Sequence, residues 1–108
     1  MTPTPSNNSS PQLPPCKFEP EKYAGPSRAE VLSLRQQYLT PGLLTYYKDP
    51  LLVGEGKMQY LWDETGKRYL DGFAGIVTVS VGHCHPTIVE RVREQVGRLQ
   101  HVTTIYLH

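Results

Sequence analysis

Met58, Tyr60 and Trp62 alternate with Lys57, Gln59 and Leu61, and a period of two rich in aromatics is the spacing of a strand with one covered face. After Asp63-Glu64-Thr65-Gly66 the chain returns as Arg68-Tyr69-Leu70. Together these runs predict a β-hairpin. Asp63 is suited to hydrogen-bond the turn backbone, and Gly66 to take the positive φ that closes a type I turn with a bulge. Leu51-Leu52-Val53, just before Gly54-Glu55-Gly56, is a candidate third strand. A lone hairpin is marginal in water, so that strand and the neighbouring helices matter to stability.

Two helices are expected around this ribbon. Gly25-Pro26 breaks the chain, and Ser27-Arg28-Ala29-Glu30 has the spacing of a capping box, in which a hydroxyl and a carboxylate satisfy orphan amide donors. The helix should run from about Ser27 to Leu39, with Val31, Leu34 and Tyr38 on one face, and end at Thr40-Pro41-Gly42 because proline cannot continue the amide ladder. Pro86 suits the first position of a second helix. Ile88, Val92, Val96 and Leu99 then recur at helical spacing, while Glu90, Arg91, Arg93, Glu94 and Arg98 fill the remaining positions, the pattern of a wet face.

Between hairpin and second helix, Gly72 to Gly82 mixes three glycines with β-branched residues, which favours an extended, tightly packed segment. His83-Cys84-His85 invites a zinc reading, since imidazole and thiolate both bind the metal. No second ligand pair follows at finger-like spacing, and a closed site needs four ligands. The structural alternative puts His85 at the helix N-cap ahead of Pro86. No metal site is expected.

Composition bounds the partners. Across 108 residues, Lys and Arg total 11 against 10 for Asp and Glu, so there is no basic field for nucleic acid. Cys16 and Cys84 alone suggest no disulfide framework. No apolar run approaches the 18 or so residues of a membrane span. Residues 1–20 read as a Pro/Ser-rich disordered tail, because Met1 to Pro15 holds five prolines and no charged side chain and so has little to bury against the entropy of ordering. These residues show neither a secretory nor a mitochondrial targeting pattern. The expected folded unit is residues 21–108, an α+β arrangement of a hairpin or three-stranded sheet with flanking helices. No Gly-rich phosphate loop is present, and no nucleophile and base can be paired by spacing.

Gly56, Tyr60-Leu61-Trp62-Asp63, Gly66, Arg68-Tyr69-Leu70-Asp71, Gly75, Gly82-His83 and His85-Pro86 closely resemble the amino-terminal signature of the class III pyridoxal-phosphate aminotransferases. Within that family, Gly75-Ile76-Val77-Thr78-Val79-Ser80-Val81-Gly82-His83-Cys84-His85-Pro86 is most similar to the mitochondrial alanine–glyoxylate type. Pro14 to Tyr23 also resembles the segment that precedes the fold there. Ala74 departs from the pattern, since many relatives carry Ser before the glycine.

The resemblance implies a transferase that moves an amino group from alanine or a related donor to glyoxylate, giving glycine and an oxo acid, with pyridoxal phosphate as the electron sink. It implies a homo-oligomer and a mitochondrial location, with the cytoplasm as the alternative. It implies no catalytic or cofactor-binding residue in this segment: in the family those groups lie downstream, and Lys17, Lys22, Lys48, Lys57 and Lys67 match none of them. The chain is therefore expected to be a part of the small domain, inactive alone. The rival expectation is a non-catalytic interaction module that docks on complete subunits.

Two positions correspond to substrate-side residues of the family. Tyr46 aligns with a pocket tyrosine of ornithine-type relatives, and Ile76 with a wall position that is aromatic and polar in them. An apolar Ile76 cannot hydrogen-bond a distal amine and suits a short apolar donor. The plainer alternatives are a half-buried packing tyrosine and a core isoleucine.

Overall fold

The structure is a computed structural model and describes residues 15–107. Its elements are α1 (Arg28–Tyr38), β1 (Val53–Lys57), β2 (Tyr60–Asp63), β3 (Arg68–Leu70), α2 (Ala74–Val77) and α3 (Pro86–Arg98). The strands form one antiparallel sheet in the order β1-β2-β3. The α+β class expected from the sequence is the class observed.

β2 lies between two partners and holds the buried residues Tyr60, Trp62 and Asp63. The β2–β3 hairpin forms as its spacing predicts, with Tyr60 opposite Leu70, Leu61 opposite Tyr69 and Trp62 opposite Arg68. Gly66 has φ of +83°, a conformation that costs a residue with a Cβ and costs glycine little. The Asp63 carboxylate accepts hydrogen bonds from the amides of Thr65 and Lys67, at 2.9 and 3.1 Å.

The other edge differs from its prediction. The alternating run was expected to be one strand from Lys57 to Trp62, but it is cut at Met58 and Gln59, which form a two-residue turn with Lys57 facing Tyr60. Met58 has φ of +50°, the sign that the first loop residue of a type II′ turn requires. The third strand exists but runs from Val53 through Gly54-Glu55-Gly56 to Lys57, with an irregularity in register between Val53 and Glu55. Leu51 and Leu52 stay outside it, although the Leu52 carbonyl accepts the Glu64 amide at 3.1 Å.

One residue of the expected tail, residues 1–20, makes a packing contact with the sheet. Phe18 meets the Trp62 ring edge-on, with centroids 5.2 Å apart, a favoured aromatic geometry. Further along, the Glu21 amide donates to Glu55 of β1 at 3.0 Å. Phe18 and Glu21 thus touch the sheet, while residues 1–14 are outside the described residues.

α1 begins at the predicted capping box. The Ser27 hydroxyl accepts from the Glu30 amide at 3.3 Å, and Glu30 accepts from the Ser27 amide at 2.8 Å. It ends at Tyr38, where Leu39 turns to extended backbone. α3 starts at Pro86 with His85 as N-cap, as expected, though the imidazole makes no capping bond. Neither α1 nor α3 buries a residue. Among the described residues no helix is long and apolar enough to cross a membrane.

The Gly72–Gly82 segment is not extended as expected. Ala74, Gly75, Ile76 and Val77 all have positive φ, between +48° and +59°, and form a single left-handed turn closed by Val77 and Thr78 amides onto the Phe73 and Ala74 carbonyls. For L-residues this backbone costs about 1–2 kcal/mol each, most at the β-branched Ile76 and Val77. The β-branched composition pointed to extended backbone, but the hydrogen bonds that close the turn, from the Val77 and Thr78 amides, override it.

Candidate functional site

The residues expected on the substrate side lie on two separate loops. Tyr46 sits between α1 and β1 and is 90% exposed, whereas Ile76 is on α2 and is 66% exposed. Neither side chain is buried by the other described residues. The Tyr46 loop is tied to α1 at both ends: Arg35 donates to the Leu43 carbonyl at 3.0 Å, and Arg28 to Asp49 at 2.9 Å. Arg28 also grips Glu64 at the β2–β3 turn through two nitrogens, at 3.0 and 2.5 Å. Hydrogen bonds to these two carboxylates raise the guanidinium pKa. One side chain therefore joins helix, loop and hairpin.

The Ile76 loop leaves the sheet at Asp71 and returns at His83. Asp71 Oδ1 accepts from the Phe73 and Ala74 amides at 2.8 and 3.0 Å, while Oδ2 lies 2.6 Å from His83 Nε2. An ionised carboxylate only accepts, so the hydrogen belongs to Nε2. The His83 contact foremost, and then the two amides, hold the Asp71 carboxyl below the usual carboxylate range. The His83 backbone pairs with Met58 in both directions, at 2.7 and 2.8 Å. Gly82, with φ of +96°, permits this closure, since a Cβ there would come within 2.9 Å of the Met58 Cα. Met58, Asp71, Ala74, Val79, Gly82 and His83 line a shallow cleft of about 270 Å³ that does not include Tyr46 or Ile76.

A second carboxylate, Asp63, is engaged inside the hairpin. It accepts from the hydroxyls of Thr65 and Tyr69 at 2.6 and 2.7 Å besides the two turn amides. These bonds, that from the Thr65 hydroxyl first, push its carboxyl far below the ordinary range, and the Tyr69 phenol is raised in turn by its own hydrogen bond to Asp63.

His83, Cys84 and His85 do not converge. His83 turns to Asp71, Cys84 is exposed with φ of +48°, and His85 keeps a buried Nδ1 without a hydrogen-bond partner. Among the described residues no group of three or more His, Cys, Asp or Glu is placed to hold a metal ion.

The described residues do not fit pyridoxal phosphate as a complete site. Such a site needs a lysine at the aldehyde and a carboxylate at the pyridinium nitrogen. The most buried carboxylates, Asp63 and Asp71, are committed to neighbouring donors. Lys57 reaches the Cys84 carbonyl and the Phe18 ring, and Lys67 lies over Tyr69.

Sequence reasoning missed both the Asp71–His83 pair and the Arg28–Asp49–Glu64 cluster. Asp71 followed by Gly72 is a turn signal that points to the amide contacts. Partners 12, 21 and 36 residues apart leave no periodic trace.

A three-stranded antiparallel sheet with flanking helices and a pinned loop defines a piece of an α+β domain. The profile of the aminotransferase class-III family matches residues 45–108, and the chain belongs to that family. It is 52% identical over 97 residues to alanine–glyoxylate aminotransferase 2 homolog 2, mitochondrial, of Arabidopsis thaliana, covering 90% of this chain and 20% of that protein. It is 45% identical over 103 residues to alanine–glyoxylate aminotransferase 2, mitochondrial, of Homo sapiens, covering 95% and 20%. Among solved structures it resembles an ornithine aminotransferase from Toxoplasma gondii that has partial occupancy of PLP at its active site. The TM-score there is 0.63 and the identity 27%, covering 76% of this chain and 18% of that one. The chain spans about a fifth of the length of the curated relatives it matches.

Proposed function

We propose that this chain is a segment of a pyridoxal-phosphate-dependent aminotransferase that moves the amino group of alanine, or a related amino acid, to glyoxylate, giving glycine and the donor's oxo acid. The observation that carries the reading is the likeness to two alanine–glyoxylate aminotransferases across at least nine-tenths of the chain, well beyond the span matched by the family profile. Pyridoxal phosphate supplies the electron sink when bound. This segment contributes none of the groups that hold it covalently, so the 108 residues alone are inactive. The names of the relatives support a mitochondrial location, and the parent enzyme works as a homo-oligomer.

Tyr46 and Ile76 are the substrate-side residues. Their exposure is what pocket-wall residues require before the rest of the wall is in place. Ile76 presents no hydrogen-bonding group, which favours a short apolar donor over one with a distal amine.

The test compares the 108-residue chain with a polypeptide of the relatives' length that contains it. The short chain should take up no pyridoxal phosphate and form no glycine from alanine and glyoxylate, and the long one should do both. A long polypeptide that prefers ornithine or acetylornithine to alanine would sink the donor assignment. Specific binding of the short chain to the complete enzyme, with no effect of cofactor, would favour the interaction-module reading.

A further inference from the structure

We propose that Asp71 and His83 are positioning residues that clasp the loop of residues 72–82, and with it the Ile76 side chain, to the β1–β2 turn. Its meaning for catalysis rests on the reading of Ile76 as a substrate-side residue, whereas the clasp is a property of the loop itself.

Both ends of the loop are fastened to the same two-residue turn. The Asp71 amide donates to the Gln59 carbonyl at 2.8 Å, and His83 exchanges two backbone hydrogen bonds with Met58. Across this gap the Asp71 carboxylate divides its work: one oxygen takes the Phe73 and Ala74 amides at the loop's start, and the other takes His83 Nε2 at its end. With side chains only 8% and 22% exposed, the carboxylate–imidazole bond is largely shielded from water and correspondingly strong. The ring is also backed by β1, since a Cβ at Gly56 would come within 3.0 Å of His83 Cγ.

The loop needs such a fastening. Positive φ at Ala74, Ile76 and Val77 is uphill for residues with a Cβ and persists only where surrounding structure determines it. The hydroxyls of Thr78 and Ser80 donate to carbonyls of Gly75 and Val77, so those bonds stay inside the loop. The carboxylate–imidazole contact is the side-chain bond that joins one end of the loop to the other.

The experiment is methyl-labelled NMR of the 108-residue chain, in which Ile76, Ile88 and Ile105 are the three isoleucines. Asp71→Ala and His83→Ala should shift or broaden the Ile76 methyl signal, and Asp71→Ala should speed amide exchange at Phe73 and Ala74 about tenfold or more, the scale of a lost hydrogen bond to a charged group. Ile88, Ile105 and the Thr65 and Lys67 amides should stay unchanged. Asp71→Asn and His83→Gln, which keep an acceptor and a donor in place, should restore the Ile76 signal. An unmoved Ile76 signal in the alanine variants would overturn the clasp. So would equal changes at Thr65 and Lys67, or failure of the conservative variants to restore the signal. No substrate or cofactor enters these readouts. An unaltered donor preference in an Ile76→Tyr variant of the longer polypeptide would instead sink the substrate reading of Ile76.

Discussion

The sheet and the helices of this chain obey different rules. β2 carries two buried aromatics and a buried carboxylate with its bonds made, and Phe18 closes over it. α1 and α3 are well capped or well started, yet no residue of either is buried. On α3 the stripe of Ile88, Val92 and Val96 remains 51–54% exposed. The hairpin finds its partners inside the chain, whereas the helices leave apolar side chains exposed, Leu34 and Tyr38 on α1 and Ile88, Val92 and Val96 on α3. Of the apolar residues of α1, only Val31 and Leu32 are half-covered, beside Leu51 and Leu52. Local capping and hydrophobic patterning are thus separable: the first sets where a helix begins, and the second asks for a surface to pack on.

The comparison is broken most severely by emptying the sheet. Trp62→Ala should cost about 3–5 kcal/mol, the usual range for truncating a buried aromatic, and so remove any cooperative urea transition seen by circular dichroism.

Acid should act on the same region. Asp63 and Asp71 both sit below their ordinary carboxyl pKa of 3.8 in the folded chain. Their stabilisation is therefore complete above about pH 4 and is lost as the pH falls through the lowered values. The urea midpoint should be flat from pH 7 to 5 and drop below pH 4, and Asp63→Asn should flatten that drop.

Ser27→Ala should cost about 0.5–2 kcal/mol of α1 stability by removing the cap. Helicity should fall while the Thr65 and Lys67 amides keep their exchange rates, which would sharpen the separation between the two regions.

The smallest effect on stability is expected on α3. Val92→Lys should change it by no more than about 0.5 kcal/mol, as for other exposed sites. It should nonetheless reduce self-association in sedimentation experiments, because it interrupts a contiguous apolar face. A wild-type chain that sediments as a monodisperse monomer at every concentration would contradict the picture of exposed helix faces.

What the sequence discloses follows the same division. The capping box at Ser27, the stop after Tyr38, the Asp63–Gly66 turn and Pro86 are legible because their determinants lie within a few residues of one another. The break at Met58 is hidden because Met58 and Gln59 carry no turn chemistry, so alternation continues unbroken through them. Phe18 on Trp62 is hidden because a single aromatic in a proline-rich stretch signals nothing until its partner is placed. The α2 turn is hidden because backbone handedness is decided by what pins the loop ends. Of the candidate site, the exposed positions of Tyr46 and Ile76 could be named only through family resemblance, and the groups that hold their loops emerged from the fold.

The contact between Phe18 and Trp62 gives the chain an optical handle. Trp62 is its single tryptophan, and its indole meets Phe18 and Tyr60 edge-on. Emission from this chain therefore reports one location, and its colour registers whether the leading segment is seated on the sheet. Deleting residues 1–20 should redden that emission while leaving the β2–β3 pairing in place, so a fluorimeter can follow docking of the strap separately from folding of the ribbon beneath it.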